Sequence, residues 1–94
     1  MFKVEDKLFM RLDKYLKVSR LIKRRTVAKE ACESSRVTIN GKVAKSGTQV
    51  KEGDIIEITF ASRSLRAQVL NIAEHVKKDD AKDMYKILDG EEIE

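Results

Sequence analysis

The chain has 94 residues, of which 41% are hydrophobic and 38% charged, with 20 Lys and Arg against 16 Asp and Glu and neither proline nor tryptophan. That length suits one small domain around a single core, which argues against a multi-step enzyme, and the charge content points to a very soluble molecule. No apolar run approaches the roughly 20 residues that span a bilayer, and the lone Cys32 excludes an intramolecular disulfide and fits a reducing cytoplasm.

The net charge of +4 conceals an asymmetry. Between Arg11 and Lys45, eleven Lys and Arg face three acids (Asp13, Glu30 and Glu33), whereas residues 46–94 carry seven bases and eleven acids. A charge run is commonly only a solvated face, but a one-sided cluster of this density is suited to a polyanion. Phosphate backbones are the commonest such partner, since each neutralised phosphate releases condensed counterions.

Residues 1–9 show no period and are expected to be a disordered leader, or the product of an upstream translation start before Met10. A single domain then spans 10–88, followed by an acidic, mobile tail at 89–94. Leu12, Tyr15 and Leu16 fall at i, i+3 and i+4 and predict a first helix over Leu12–Ser19. Asp13 lies in its first turn, positioned to cap free amides or to pair with a neighbouring arginine such as Arg11.

Lys23, Arg24 and Arg25 precede a second apolar stripe of Val27, Ala28, Ala31 and Cys32, with Thr26 as the expected N-cap and an end near Ser34 or Ser35. Three cations before a helix start oppose the positive end of its dipole, at a cost of up to about 1 kcal/mol. A bound anion removes that cost, so free amides and two guanidinium forks predict a phosphate site.

Arg36 to Val43 alternates around Asn40-Gly41, a strong signal for a tight hairpin. A second turn at Glu52-Gly53-Asp54 opens a strand over Ile55–Phe60, with Ile56, Ile58 and Phe60 on one face, and a further strand is expected from Leu65 to Ile72. A short C-terminal helix is predicted to bury Met84, Ile87 and Leu88. The fold class is therefore α+β: two N-terminal helices packed on a small, mainly antiparallel sheet, with a short C-terminal helix.

Arg11-Leu12-Asp13, Leu16, the basic turn, Ala28, the run Arg36 to Lys42, and Val50 followed by Gly53-Asp54 and Ile56 together resemble the RNA-binding domain first described in ribosomal protein S-four, the alpha-L motif. The likeness covers about 11–60. The string Arg11 to Thr26 is similar to the start of the RqcP family, relatives of a ribosome-associated heat-shock protein. Two departures stand out: Ser34-Ser35 where many such modules have Gly, and Arg25-Thr26 where most have Ser-Arg.

The resemblance implies a non-enzymatic, cytoplasmic factor on stalled, split large ribosomal subunits. There it would bind rRNA and peptidyl-tRNA and, with an RqcH-type protein partner, support alanine tailing of nascent chains; it would be monomeric when free and bind no membrane. The residues matching the RNA face are Arg11, Lys14, Arg20, Lys23, Arg24, Arg25, Arg36 and Lys42, to which Thr26 and Lys29 are added. Asp13, Asn40, Gly41, Gly53 and Asp54 are the structural positions of the motif. Alternatives are a general ribosome-assembly or heat-shock recycling factor, the targeting module of an RNA-modifying enzyme, and a protein whose basic face binds an acidic protein or a membrane. No cofactor or metal is expected: His75 has no second ligand at useful spacing and reads as a surface residue, Cys32 as a buried hydrophobe, and Tyr15 as core rather than a base-stacking ring.

Overall fold

A computed structural model describes residues 9–73 and 76–90. Its elements are β1 (Phe9–Arg11), α1 (Leu12–Val18), α2 (Arg25–Glu33), β2 (Val37–Ile39), β3 (Lys42–Val43), β4 (Gln49–Lys51), β5 (Ile55–Phe60), β6 (Arg63–Val69), a 3-10 helix (Lys78–Met84) and β7 (Tyr85–Gly90). The architecture is α+β. One antiparallel sheet runs in the order β3-β2-β5-β6-β7, and β1 pairs separately with β4.

Leu12, Tyr15 and Leu16 are fully buried, as their helical spacing requires, and meet Ala28, Ala31 and Cys32 of α2 and Ile56, Ile58 and Leu65 of the sheet in one core. The small side chains of α2 let it lie close against its neighbours. The Tyr15 hydroxyl donates to the Met84 carbonyl at 2.8 Å, which ties the C-terminal segment to α1. Among the described residues no helix is long and apolar enough to cross a membrane.

The chain turns depend on residues in the left-handed region. Asn40 (φ 53°) and Gly41 (φ 87°) close the β2–β3 hairpin with Ile39 opposite Lys42, and positive φ at both positions matches the twist of the paired strands. Asn40 also accepts from the Ile55 amide at 2.9 Å and donates to Asp54 at 3.1 Å. Buried Asp54 takes the Lys51 amide at 2.9 Å as well. These two side chains thereby lock the hairpin to the turn that opens β5, and Gly53 (φ 92°) makes that turn possible.

At the end of α2, Ser35 (φ 61°) occupies the position usually held by glycine. Its amide reaches the Cys32 carbonyl at 3.1 Å and the Arg36 amide reaches Ala31 at 3.0 Å, the bond pair of a Schellman motif.

Several sequence-based boundaries shift. Helix α2 begins at Arg25 with Arg24 as its N-cap and no capping side chain, so Thr26 lies inside the first turn rather than at the cap. The strand expected over 65–72 starts at Arg63, because Ala61 (φ 49°) allows a two-residue turn with Phe60 opposite Arg63. The C-terminal helix is a 3-10 segment that ends at buried Met84. Ile87 and Leu88, expected in its buried stripe, belong to β7 and are 38% and 41% exposed. The outer edge of β6 explains this, since its amides and carbonyls need partners and β7 supplies them. Ordered pairing also takes in Phe9 at one end and Asp89 and Gly90 at the other. His75 lies outside the described residues, as do 1–8 and 91–94.

Replacing Ser35 by glycine relieves a side chain held in the left-handed region, and we expect Ser35→Gly to raise stability by about 0.5–1 kcal/mol, read as a higher melting temperature. Burial pushes the Cys32 thiol up from 9.0 to about 12, aided by the nearby charges of Asp13 and Glu33. Burial, with a smaller contribution from Tyr85, holds the Tyr15 hydroxyl well above its ordinary 10.0. The core keeps both groups neutral, so their contribution to stability is complete below these ordinary values and is lost as pH rises toward the folded ones. The urea midpoint should therefore fall progressively above pH 9.0, and the fall should be shallower in the Cys32→Ala, Tyr15→Phe double variant.

Candidate nucleic-acid interface

Strand β1 leads directly into α1, so Arg11 is at once the last residue of a strand and the N-cap of a helix, with an extended backbone (φ −60°, ψ 142°) and no capping side-chain bond. The first amides of α1 are satisfied from elsewhere in the chain. Leu12 donates to the Thr48 carbonyl at 2.8 Å and Asp13 to the Ser46 carbonyl at 3.1 Å. The expected use of the Asp13 carboxylate as an amide cap is thus not realised, because the 46–48 loop takes that role.

The Asp13 carboxylate instead faces two guanidinium groups. Arg11 Nε lies 3.2 Å from Oδ1, and Arg25 Nη2 lies 3.5 Å from the same oxygen. The side chain of Asp13 is 3% exposed while those of Arg11 and Arg25 are 55% and 50% exposed. A buried anion thus gathers two cations whose outward faces stay in water. Together with Thr26 and Lys29 these three residues line a shallow cleft of about 350 Å³.

Arg25 is the first residue of α2, whose N-terminus has neither a side-chain cap nor an acid in its first turn. The amides there, the positive end of the helix dipole and the outer donors of Arg11, Arg25 and Lys29 all favour one anionic ligand. The turn between the helices adds three exposed cations. Leu21 and Ile22 are buried and anchor it, Arg20 sits in the left-handed region (φ 65°), and Arg20, Lys23 and Arg24 face solvent. Lys14 is half-buried on α1.

The remaining candidates stand apart from this cluster. Lys42 is exposed on the edge strand β3. Arg36 lies beyond the other end of α2, with its guanidinium 5.6 Å from the centre of the Phe60 ring. Two participants were not legible in the sequence. Ser46 caps α1 through its carbonyl, and its hydroxyl donates to Glu33 at 2.7 Å, the main reason the Glu33 carboxyl is held below its ordinary range. Gly47 beside it would place a Cβ 4.0 Å from the Arg11 guanidinium carbon. Only a Ser-Gly-Thr loop composition hinted at any of this. Among the described residues no group of three or more His, Cys, Asp or Glu could hold a metal ion.

Residues 10–56 match the family described as S4 domain. The chain is 54% identical over 84 residues to the RQC P-site tRNA stabilizing factor of Halalkalibacterium halodurans, covering 89% of this chain and 96% of that one. It is 55% identical over 82 residues to the protein of the same name in Listeria innocua, covering 87% and 89%. Among solved structures it resembles the trimeric Heat Shock Protein 15 of Vibrio cholerae, with a TM-score of 0.77, 26% identity and coverage of 85% and 82%.

If Asp13 organises the cleft, Asp13→Asn should weaken binding to polyanionic RNA although it makes the protein more positive. A loss of several-fold in affinity at fixed salt is expected, with a stability loss of roughly 1 kcal/mol because both arginines are half exposed. Tighter RNA binding by this variant would show that the carboxylate only offsets charge.

Proposed function

Because this chain belongs to the S4-domain family and, within it, to the RQC P-site tRNA stabilizing factors, we propose that it binds rRNA and peptidyl-tRNA on stalled, split large ribosomal subunits. It is a non-enzymatic, ribosome-associated RNA-binding factor. In the finer reading it steadies the tRNA while alanine residues are added to the nascent chain, in the cytoplasm, as a free monomer that meets an RqcH-type partner on the subunit.

The observation that carries this reading is the convergence of Arg11, Arg25 and Lys29 beside the uncapped N-terminus of α2. A phosphate seated there receives amide donors, a helix dipole and two guanidinium forks at once. Arg20, Lys23 and Arg24 extend the positive surface along the adjoining turn, as a backbone-tracking site needs. Contacts of this kind read the shape and charge of RNA more than its sequence. The likeness to Heat Shock Protein 15 of Vibrio cholerae supports a second reading, a general heat-shock recycling or ribosome-assembly factor on the same RNA face. The targeting-module reading is weaker, since relatives matched over 96% and 89% of their length bear the name of a stabilizing factor.

Arg24→Glu is expected to reduce co-sedimentation with purified large subunits by about a hundredfold, and Arg25→Ala by about tenfold, with each lost phosphate contact lowering the salt slope of binding by roughly one. The melting temperature should barely change in Arg24→Glu, whose side chain is exposed. Undiminished co-sedimentation of the Arg24→Glu, Arg25→Ala double variant would remove this surface from the account. To separate the finer reading from the recycling one, subunits carrying peptidyl-tRNA are compared with empty ones, and only the finer reading predicts a preference for the former.

A further inference from the structure

A second cleft, of about 430 Å³, lies between the C-terminal half of α2 and the β5–β6 turn and is lined by Glu30, Ala31, Ser34, Arg36, Phe60 and Ala61. At 3.6 residues per turn Glu30 and Ser34 project well round the helix from Arg25 and Lys29, with Thr26 between the two sets. The two clefts therefore border the N-terminal and C-terminal halves of one helix, and Lys29 and Glu30, adjacent in the chain, line different ones.

The chemistry of the second cleft differs from that of the first. Phe60 is half-buried at the end of β5, packs against the core, and has the Arg36 guanidinium over its ring at 5.6 Å. The ring packs against the core on one side and is covered by the guanidinium on the other, so the planar cation, backed by the ring, is the stacking surface offered to the cleft. Opposite them stands the negative end of the α2 dipole, with the Glu30 carboxylate, which only accepts hydrogen bonds. That wall disfavours a phosphate and favours a flat group bearing N–H donors. Arg36, exposed at the rim, remains available to an adjoining phosphate. An aromatic base with a donor edge, attached to a phosphate backbone, meets all three demands. Guanine does so best, because its ring N–H and exocyclic amine lie side by side for one carboxylate.

We propose that this cleft receives one unstacked base of single-stranded RNA, guanine in preference, stacked on the Arg36 guanidinium where it covers Phe60 and held at its donor edge by Glu30. The inference deepens the RNA-binding reading and rests on it. It adds a base-selective contact to a surface that otherwise follows only the backbone, and it selects single strands, loops or bulges over duplex, whose bases cannot leave the stack.

The test uses labelled RNA octamers of uridine that carry guanosine, inosine or an abasic residue at one central position, titrated at fixed salt. The wild-type chain should bind the guanosine strand about tenfold more tightly than the abasic strand. Phe60→Leu should erase that difference without weakening the abasic strand, and Phe60→Tyr should retain it, which controls for a folding defect. Glu30→Gln, a surface change, should abolish the preference for guanosine over inosine, which lacks the exocyclic amine. A wild-type protein that sediments with large subunits yet binds guanosine and abasic strands equally overturns the cleft and leaves the RNA reading standing. Persistence of the difference in Phe60→Leu also overturns it. Failure of the wild type to bind any strand or any subunit overturns both.

Discussion

A buried carboxylate holds two surface cations in place. Left alone in the interior, Asp13 would carry a desolvation cost of several kcal/mol, and its side chain is 3% exposed. Arg11 and Arg25 offset that cost, and in doing so they become fixed relative to each other although they belong to the starts of different helices. The backbone cooperates, because the carbonyls of Ser46 and Thr48 satisfy the amides of α1 and free the carboxylate to face the arginines. The positive surface is thus set by the interior rather than by the loose packing of long side chains, which lowers the entropy lost when an anion binds.

The same division of labour recurs at the turns. Leu21 and Ile22 are buried while Arg20, Lys23 and Arg24 around them are exposed, so apolar anchoring presents the cations. Arg20 and Ser35 accept left-handed backbone that costs an L-residue about 1–2 kcal/mol, and the packed residues next to them keep the chain there. The acidic second half balances the molecule. Asp79, Asp80 and Asp83 are exposed on the 3-10 helix and Asp89 on β7, interleaved with exposed Lys77, Lys78, Lys82 and Lys86.

Helix α2 is the element on which the functional readings meet. Its N-terminal turn borders the phosphate-type cleft, its C-terminal turn borders the proposed base cleft, and its buried Ala28, Ala31 and Cys32 hold both against the sheet. Opposite ends of one dipole thereby suit opposite kinds of ligand group, an anion at the first turn and hydrogen-bond donors at the last.

Local chemistry was enough to read much of this chain from its letters. Leu12, Tyr15 and Leu16 could share a stripe only as a helix, Asn40-Gly41 could accept positive φ at two successive positions, and alternation from Ile55 to Phe60 placed Ile56 and Ile58 inward. Charge counting located the basic half for the same reason, since charge is a property of residues and not of their arrangement. What required the folded chain was every relation between residues distant in sequence: Asp13 with Arg25, Ser46 and Thr48 with the start of α1, Arg36 with Phe60, and Tyr15 with Met84. The C-terminal segment shows the limit most clearly. Met84, Ile87 and Leu88 carry a helical spacing, yet the unpaired edge of β6 offered a row of hydrogen-bond partners, and residues 85–90 became a strand. Periodicity records what a segment can do alone, whereas the edge of a sheet exists only after the rest of the chain has folded.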